Sequence, residues 1–379
     1  MPSSSVRVLT IAHNAVAASN RRRTEAVRAA SGADVRLLTP PWWFEEGRRI
    51  DVPRTAPWRV GRTLLTGNGT RHVYLTGLVD AIRTTRPDVI DVYEEPFSLV
   101  ALQTLLAREA LAPRAALVFY SAVNVMRDWR RPYRAIERLV LRKADGAYAP
   151  NHDVPRILRA KGFAMHRPVH VIPLGVDVER FVTAEAMHLE DIPRPRVGFV
   201  GRLEPVKGIG VLIDAFGRLT TRASLVVAGE GSERRLVAGP RVHALPPVGH
   251  EQLPAFLKSL DVLVLPSVTI LPLHREQFGR VLVEAMAAGV PVVGSSSGAI
   301  PEVIGDAGLV VPERDPAALA GAIDLLLSDA ALRQALIERG RRRALTHFDW
   351  SVVAAQTLDL FHAAMAHRRG IESMQAVRA

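Results

Sequence analysis

Apolar residues in this chain fall into short dense runs, separated by longer stretches with helical spacing. "VRVLTIA" at 6–12 has the density of a buried strand, and "NRRRTEAVRAA" at 20–30 that of a helix capped by Ser19 or Asn20. "ADVRLLTP" at 33–40 is a second strand. Further on, "YLTGLVDAIRTTRP" and "SLVALQTLLAREA" predict helices, while "DVIDVYE" and "AALVFYSA" predict strands. Strands alternating with helices imply parallel β-α-β units with sheets buried on both faces.

The alternation breaks at "DVERFVTAEAMHLEDIPRP", whose acids, closing prolines and lack of clean periodicity mark a linker. It restarts with "RPRVGFVGRL" (strand), "GVLIDAFGRL" (helix), "ASLVVAGEG" (strand), "LPAFLKSL" (helix), "DVLVLPS" (strand), "GRVLVEAMAAG" (helix) and "VPVVGSS" (strand). The expected architecture is α/β with two facing, Rossmann-like, doubly wound domains. The first covers 1–172, a linker 173–195, and the second domain 196–345. A helical segment, 346–379, is expected to pack back on the first domain. Ligands of such sheets sit beyond the carboxyl ends of the strands, so a cleft between the domains is the expected site.

A length of 379 residues also exceeds one ordinary core. Cysteine is absent, which excludes disulfides, thiolate nucleophiles and cysteine metal sites. No window approaches the 18 or so continuous apolar residues of a membrane span. The first residues read as a buried strand rather than a signal peptide. The expected location is therefore the cytoplasm, with any membrane attachment confined to the inner surface.

The net charge of +11 is uneven: residues 1–172 hold 27 Lys and Arg against 15 Asp and Glu, and the remainder 22 against 23. A basic first half suits an anionic surface or acceptor. Only four of the 49 basic residues are lysine, so a compositional preference for arginine explains the charge equally well.

The densest chemistry lies in "HREQFGRVLVEAMAAG" at 274–289. Gly279 and Arg280 open a helix that Gly289 closes. The unpaired N–H groups and positive dipole end of its first turn favour an anion, and a glycine there admits a phosphate to the backbone. Glu276 precedes the helix and Glu284 lies too deep to cap it, but a carboxylate is a good acceptor for sugar hydroxyls. A diphosphate at the helix end with a hydroxylated ring on either side reconciles these features. In "VGFVGRLEPVKGIG", Arg202 and Lys207 flank a turn and supply countercharge. No G-x-x-x-x-G-K-[ST] is present, nor a G-x-G-x-x-G after the first strand.

With "GRLEPVKG", "AGEGSERRL", the E-x7-E pair Glu276 and Glu284, "EAMAAGVPVVGSSSGAIPEVI", "DAGLVVPERDPAALAGAI", "ADGAYAPNHDVPRILRAKGF" and "VIPLGVDVERF" in this order, the chain resembles a retaining glycosyltransferase of the GT-B fold, family 4. The resemblance covers nearly the whole chain and is strongest in the second domain. It implies a hexosyltransferase that uses a nucleotide-diphosphate sugar, UDP- or GDP-linked, with no cofactor. Glu276, Arg202 and Lys207 would carry catalysis. Glu284 would hold the ribose hydroxyls and Glu276 the donor sugar, while Arg202 and Lys207 would neutralise the diphosphate. The backbone N–H groups of Phe278, Gly279, Arg280 and Val281 would contact sugar and phosphates, and Pro247 and Val248 would line the base pocket. The acceptor proton would pass to a phosphate oxygen. No D-x-D occurs, and Arg202, Lys207 and the helix dipole can replace a metal, so none is expected.

Two departures concern the acceptor side. Where the family often has a Gly-Gly loop, this chain has "AHNAVAASN", making His13 and Asn14 candidates by position. Where a histidine often follows the strand "ALVFYSA", Tyr120 and Ser121 stand. "YEEPFS" offers Glu94 and Glu95, either as acceptor ligands or as a solvated loop; Tyr120 and Asn124 are further candidates. "PPWWFEEGRR" puts Trp42, Trp43 and Phe44 on an expected loop after a strand. "WRRPYRAIERLVLRK" aligns Arg131, Arg134, Arg138 and Arg142 near one helical face, with Ile136, Leu139 and Val140 as an apolar side. That helix is either an ordinary surface helix or a contact for anionic lipid. Competing readings are a nucleotide-sugar epimerase of the same fold and a polyanion-binding protein. No nucleic-acid module is recognisable, so no nucleic-acid partner is expected.

Overall fold

A computed structural model describes residues 6–45, 48–53 and 55–378, which divide into two units, 1–172 with 350–379, and 173–349. The first unit runs β1 (Arg7–Ile11), α1 (Ala18–Ser31), β2 (Asp34–Thr39), β3 (Trp42–Glu45), β4 (Arg48–Asp51), β5 (Arg59–Val60), β6 (Thr63–Leu64), β7 (Val73–Tyr74), α2 (Leu78–Thr85), β8 (Val89–Val92), α3 (Leu99–Leu111), β9 (Ala116–Tyr120), α4 (Tyr133–Lys143), β10 (Gly146–Ala149), α5 (Asp153–Ala160) and β11 (Val169–Val171). Seven of these strands form a parallel sheet in the order β11-β10-β9-β8-β1-β2-β5. From β1 the chain moves outward to β2 and later continues from β8 on the other side. The gap beyond the ends of β1 and β8 is therefore a topological switch point, where ligands of such sheets bind.

Central strands such as β8 are buried at every position, which their apolar residues on both faces require. Asp91 on β8 is the exception in composition. It accepts from Arg23 Nη1 of α1 at 2.7 Å, from the Tyr148 hydroxyl at 2.8 Å and from Thr10 Oγ1 at 3.2 Å. Burial works against the Arg23 charge, and Asp91 more than restores it. The Tyr148 ring lies 4.6 Å from the guanidinium carbon and completes the cage.

The second unit contains α6 (Val178–Thr183), β12 (Arg196–Val200), α7 (Ile209–Phe216), β13 (Ser224–Ala228), β14 (Val242–Leu245), α8 (Leu253–Lys258), β15 (Val262–Leu265), α9 (Arg280–Ala288), β16 (Val292–Ser295), α10 (Ile300–Ile304), β17 (Leu309–Val311), α11 (Pro316–Ser328) and α12 (Ala330–Arg343). Its parallel sheet has the order β14-β13-β12-β15-β16-β17, with a switch point between β12 and β15. The last helix, α13 (Trp350–Arg378), belongs to the first unit. There Val353, Ala354, Leu360, Phe361 and Ala364 pack with residues of β1, β2, β8, β9 and β10.

Four readings change. Helix α1 begins at Ala18 after Ala17, with no side-chain cap from Ser19 or Asn20. Residues 173–195 are not a free linker, since α6 buries Val178 and Phe181 in the second core. The chain returns to the first unit at Trp350 rather than 346, because Ala344 and Phe348 are buried in the second. Trp42, Trp43 and Phe44 are not on a loop: they form β3, paired antiparallel with β4, which turns Trp43 inward and leaves Phe44 exposed.

Candidate active site

Lys207 and Glu276 follow the neighbouring strands β12 and β15. A short 3-10 turn, Pro205–Lys207, ends at Gly208 with φ +70°. A Cβ at Gly208 would lie 2.0 Å from the Pro266 carbonyl oxygen, so only glycine lets this turn close onto the end of β15. The Val268 N–H donates to the Val206 carbonyl at 2.9 Å and fixes that approach. Lys207 Nζ consequently donates to Glu276 Oε2 at 2.6 Å, and Ser267 Oγ donates to the same oxygen at 2.8 Å. Burial pushes the Glu276 carboxyl upward, but Lys207 and Ser267 outweigh it and hold the group below the usual carboxylate range. A buried carboxylate is thus kept charged.

Glu276 leads directly into α9. Gly279 caps that helix with φ +82°, a left-handed conformation that favours glycine, and Gly289 ends it with φ +77°. The side chain of Phe278 is buried edge-on against Phe348 at 5.7 Å, so only its backbone is left for a ligand. Arg280 and Val281, in the first turn, are half-buried, and Glu284, one turn further, is buried. Arg202 lies between β12 and the 3-10 turn; it is exposed and forms no salt bridge among the described residues. Pro247 and Val248 are half-buried just beyond β14. The second unit therefore brings Lys207 and Glu276 into contact and leaves Arg202 accessible beside β12.

In the first unit, His13 and Glu94 lie two residues beyond β1 and β8. His13 Nδ1 is 2.5 Å from Glu94 Oε2, and its backbone N–H donates to Glu94 Oε1 at 2.9 Å. Asn14 is half-buried, and its carbonyl accepts from Asn20 Nδ2 at 3.0 Å. Tyr120 stacks on Tyr93 at 4.2 Å, and Asn124 is buried. The solvated-loop reading of "YEEPFS" fails, because Glu94 is buried and Glu95 is half-buried and hydrogen-bonded. Glu95 accepts from Ser121 Oγ at 2.7 Å and the Ala122 N–H at 2.8 Å. Its burial nevertheless pushes it up to about 7. Arg134, Arg138 and Arg142 of α4, with Arg131 just before it, line a shallow pocket of about 530 Å³. Ile136 and Val140 face the core, while half-buried Leu139 and exposed Ala135 lie among the arginines, so the exposed side is mainly basic.

Sequence reasoning passed over Ser267 and His72. Ser267 ends a strand run that looked purely apolar. His72, in "RHVY", is fully buried beside Glu94, and no spacing rule links positions so far apart.

The chain matches the family described as Glycosyl transferases group 1 over residues 194–329 and Glycosyltransferase Family 4 over 25–180. A glycogen synthase from Mycobacterium tuberculosis is 32% identical over 313 residues, covering 76% of this chain and 71% of that protein. A phosphatidyl-myo-inositol mannosyltransferase from Mycobacterium leprae is 37% identical over 203 residues, covering 50% of this chain and 52% of that protein. A D-inositol 3-phosphate glycosyltransferase from Streptomyces avermitilis is 34% identical over 237 residues, covering 54% and 49%. The chain thus spans about half the length of these last two. Among solved structures, a glycosyltransferase from Rickettsia africae superposes with a TM-score of 0.73 at 16% identity, covering 96% of this chain and 99% of that one. Anabaena HepE in complex with UDP and glucose gives 0.68 at 17% identity, covering 93% and 98%. These likenesses show the GT-B fold. The chain belongs to the group 1, family 4 glycosyltransferases.

Proposed function

We propose that the protein moves a hexose from a nucleotide-diphosphate sugar to an acceptor hydroxyl, with retention of anomeric configuration. The observation that carries this reading is the Lys207–Glu276–Ser267 cluster at the start of α9. Glu276, held ionised, accepts hydrogen bonds from donor-sugar hydroxyls. Lys207, already placed beside it, and the exposed Arg202 take up charge on the departing diphosphate, assisted by the N-terminal dipole of α9. The backbone at Phe278, Gly279, Arg280 and Val281 contacts sugar and phosphates. Glu284 holds the ribose, and Pro247 and Val248 flank the base. The acceptor proton leaves on a phosphate oxygen, and no metal is needed. Support for the donor class comes from Anabaena HepE, described in complexes with UDP and with UDP-glucose. The epimerase alternative gains nothing, since the relatives named above carry synthase and transferase names.

On the acceptor side, His13, Asn14, Glu94, Tyr120 and Asn124 are assigned to the region beyond β1, β8 and β9. The arginine-lined face of α4 supports an anionic acceptor or membrane surface. Among the described residues no helix is long and apolar enough to cross a membrane. The test is a thermal-shift panel of UDP, GDP, ADP and dTDP with their sugar conjugates. A binder at a hundredfold excess over Kd adds about 2.7 kcal/mol of stability. Stabilisation by one nucleotide and its sugar is expected; no response to any of them would overturn the reading. NMR of the product's anomeric proton tests retention.

A further inference from the structure

Beyond the ends of β1 and β8, His72 joins two residues of the acceptor side, His13 and Glu94, in one cluster. His72 is fully buried, and its Nδ1 lies 3.1 Å from the Asn68 carbonyl. A carbonyl only accepts, so the ring proton sits on Nδ1 and Nε2 presents a lone pair. That Nε2 has no hydrogen-bond partner and stands 3.7 Å from Glu94 Oε1. Glu94 Oε1 already accepts the His13 N–H at 2.9 Å, and among the described residues no donor reaches His72 Nε2. Among the described residues no lysine or arginine pairs with Glu94; its ion-pair contacts are with the two imidazoles.

We propose that His13, His72 and Glu94 form a site for a divalent transition metal of the zinc class. One ligand atom from each of the three lies within 4.8 Å of the others. Two imidazole nitrogens and a carboxylate oxygen suit such an ion and leave a fourth position open. The ion takes the place of the proton shared by His13 and Glu94 and gives His72 Nε2 its partner. Ligand bonds of about 2.0–2.1 Å set the ligand atoms roughly 3.4 Å apart, so the 2.5 Å pair opens and the wider one closes. The Asn68 carbonyl already fixes the tautomer that a ligating His72 requires. The Trp43 ring packs 4.3 Å from His13 and 4.8 Å from His72 and closes one side. The His13 side chain is 24% exposed, which provides the route in. The bound ion ties together three loops that are remote in sequence; it belongs to the first unit and takes no part in the donor chemistry of Lys207 and Glu276.

The untagged full-length chain, stripped with a chelator and dialysed, is titrated with Zn²⁺ and with Co²⁺. One equivalent per chain should bind, raise the melting temperature and, for Co²⁺, give visible absorption. His13→Ala and Glu94→Gln should each lower the affinity at least tenfold. His13→Ala, at a partly exposed position, should leave the melting temperature of the metal-free chain close to that of the parent. It is the decisive variant, since His72→Ala opens a buried hole. Absence of stoichiometric uptake by the parent would mean that His13 and Glu94 merely share a proton, and would overturn the proposal. Equal affinity in the parent and both variants would do the same.

Discussion

Lys207 Nζ and Glu276 Oε2 stand 2.6 Å apart although 69 residues separate them in sequence. Each follows one of the two strands that flank the second sheet's switch point. Removing Lys207 strands a carboxylate that is almost wholly buried, so Lys207→Met should lower stability by about 3 kcal/mol at pH 7. Glu276 is held below its ordinary value, so its stabilising contribution is present above the unfolded carboxylate range and is lost as pH falls through the folded one. The deficit of Lys207→Met should therefore shrink on acidification, when the stranded carboxyl takes a proton. Urea unfolding at pH 7 and pH 4 measures both; a pH-independent deficit would count against the pairing.

The two glutamates should separate binding from turnover. Glu284→Ala is expected to weaken affinity for free nucleoside diphosphate, while Glu276→Ala mainly lowers kcat. Calorimetric titration of both variants checks the division, and unchanged affinity in both would remove it.

Transfer should proceed without magnesium or manganese. In the proposed mechanism Arg202, Lys207 and the dipole of α9 supply the positive charge that a metal would otherwise bring. Turnover in chelator-treated buffer decides; complete loss restored by magnesium or manganese would refute the proposed stabilisation of the leaving group.

Glu95 should control part of the pH dependence of stability. Its folded value, about 7, lies above the ordinary carboxyl value of 4.5. The stability it contributes is fully present below the unfolded value and is lost as pH rises through about 7. Glu95→Gln keeps an acceptor for the Ala122 N–H and cannot ionise. Its advantage over the parent should grow from nothing near pH 4.5 to about 3 kcal/mol above pH 7.5. Urea denaturation across pH 5–8.5 reads the difference, and a constant offset would contradict it.

If the basic face of α4 meets an anionic membrane, replacing Arg131, Arg134 and Arg138 by Gln should reduce co-sedimentation with anionic vesicles. Each arginine near such a surface contributes on the order of 1 kcal/mol. Since Ile136 and Val140 are turned to the core, the attraction is electrostatic and should fade above physiological salt. Nucleotide affinity should not change. A parent protein that ignores these vesicles at low salt would end the membrane reading.

Where periodicity carried the signal, the sequence was readable. The runs around Val8, Val89 and Val264 became central parallel strands because their residues are apolar on both faces. The order of motifs around Gly279 was equally clear, since a glycine opening and another closing an apolar helix have local causes. What escaped depends on distance. Nothing near His72 announces Glu94, and nothing in "NRRRTEAV" shows that Arg23 turns inward to Asp91 while its neighbours stay on the surface. "WWFEE" reads as a loop because its apolar run is short, but pairing with β4 supplies hydrogen bonds that local pattern cannot foresee. Glu94 and Glu95 look solvated because charge usually is; their withdrawal from solvent follows from partners just beyond β9 and in the β1 loop.

The position of α13 governs the order in which the chain can fold during synthesis. The second unit has all its strands once residue 349 has emerged from the ribosome. The first unit, although made earlier, still lacks Leu360, Phe361 and Ala364, which cover Val8, Val89 and Val118 on one face of its sheet. Until α13 arrives, that face is open and prone to wrong partners. The part of the protein translated first is the last able to close.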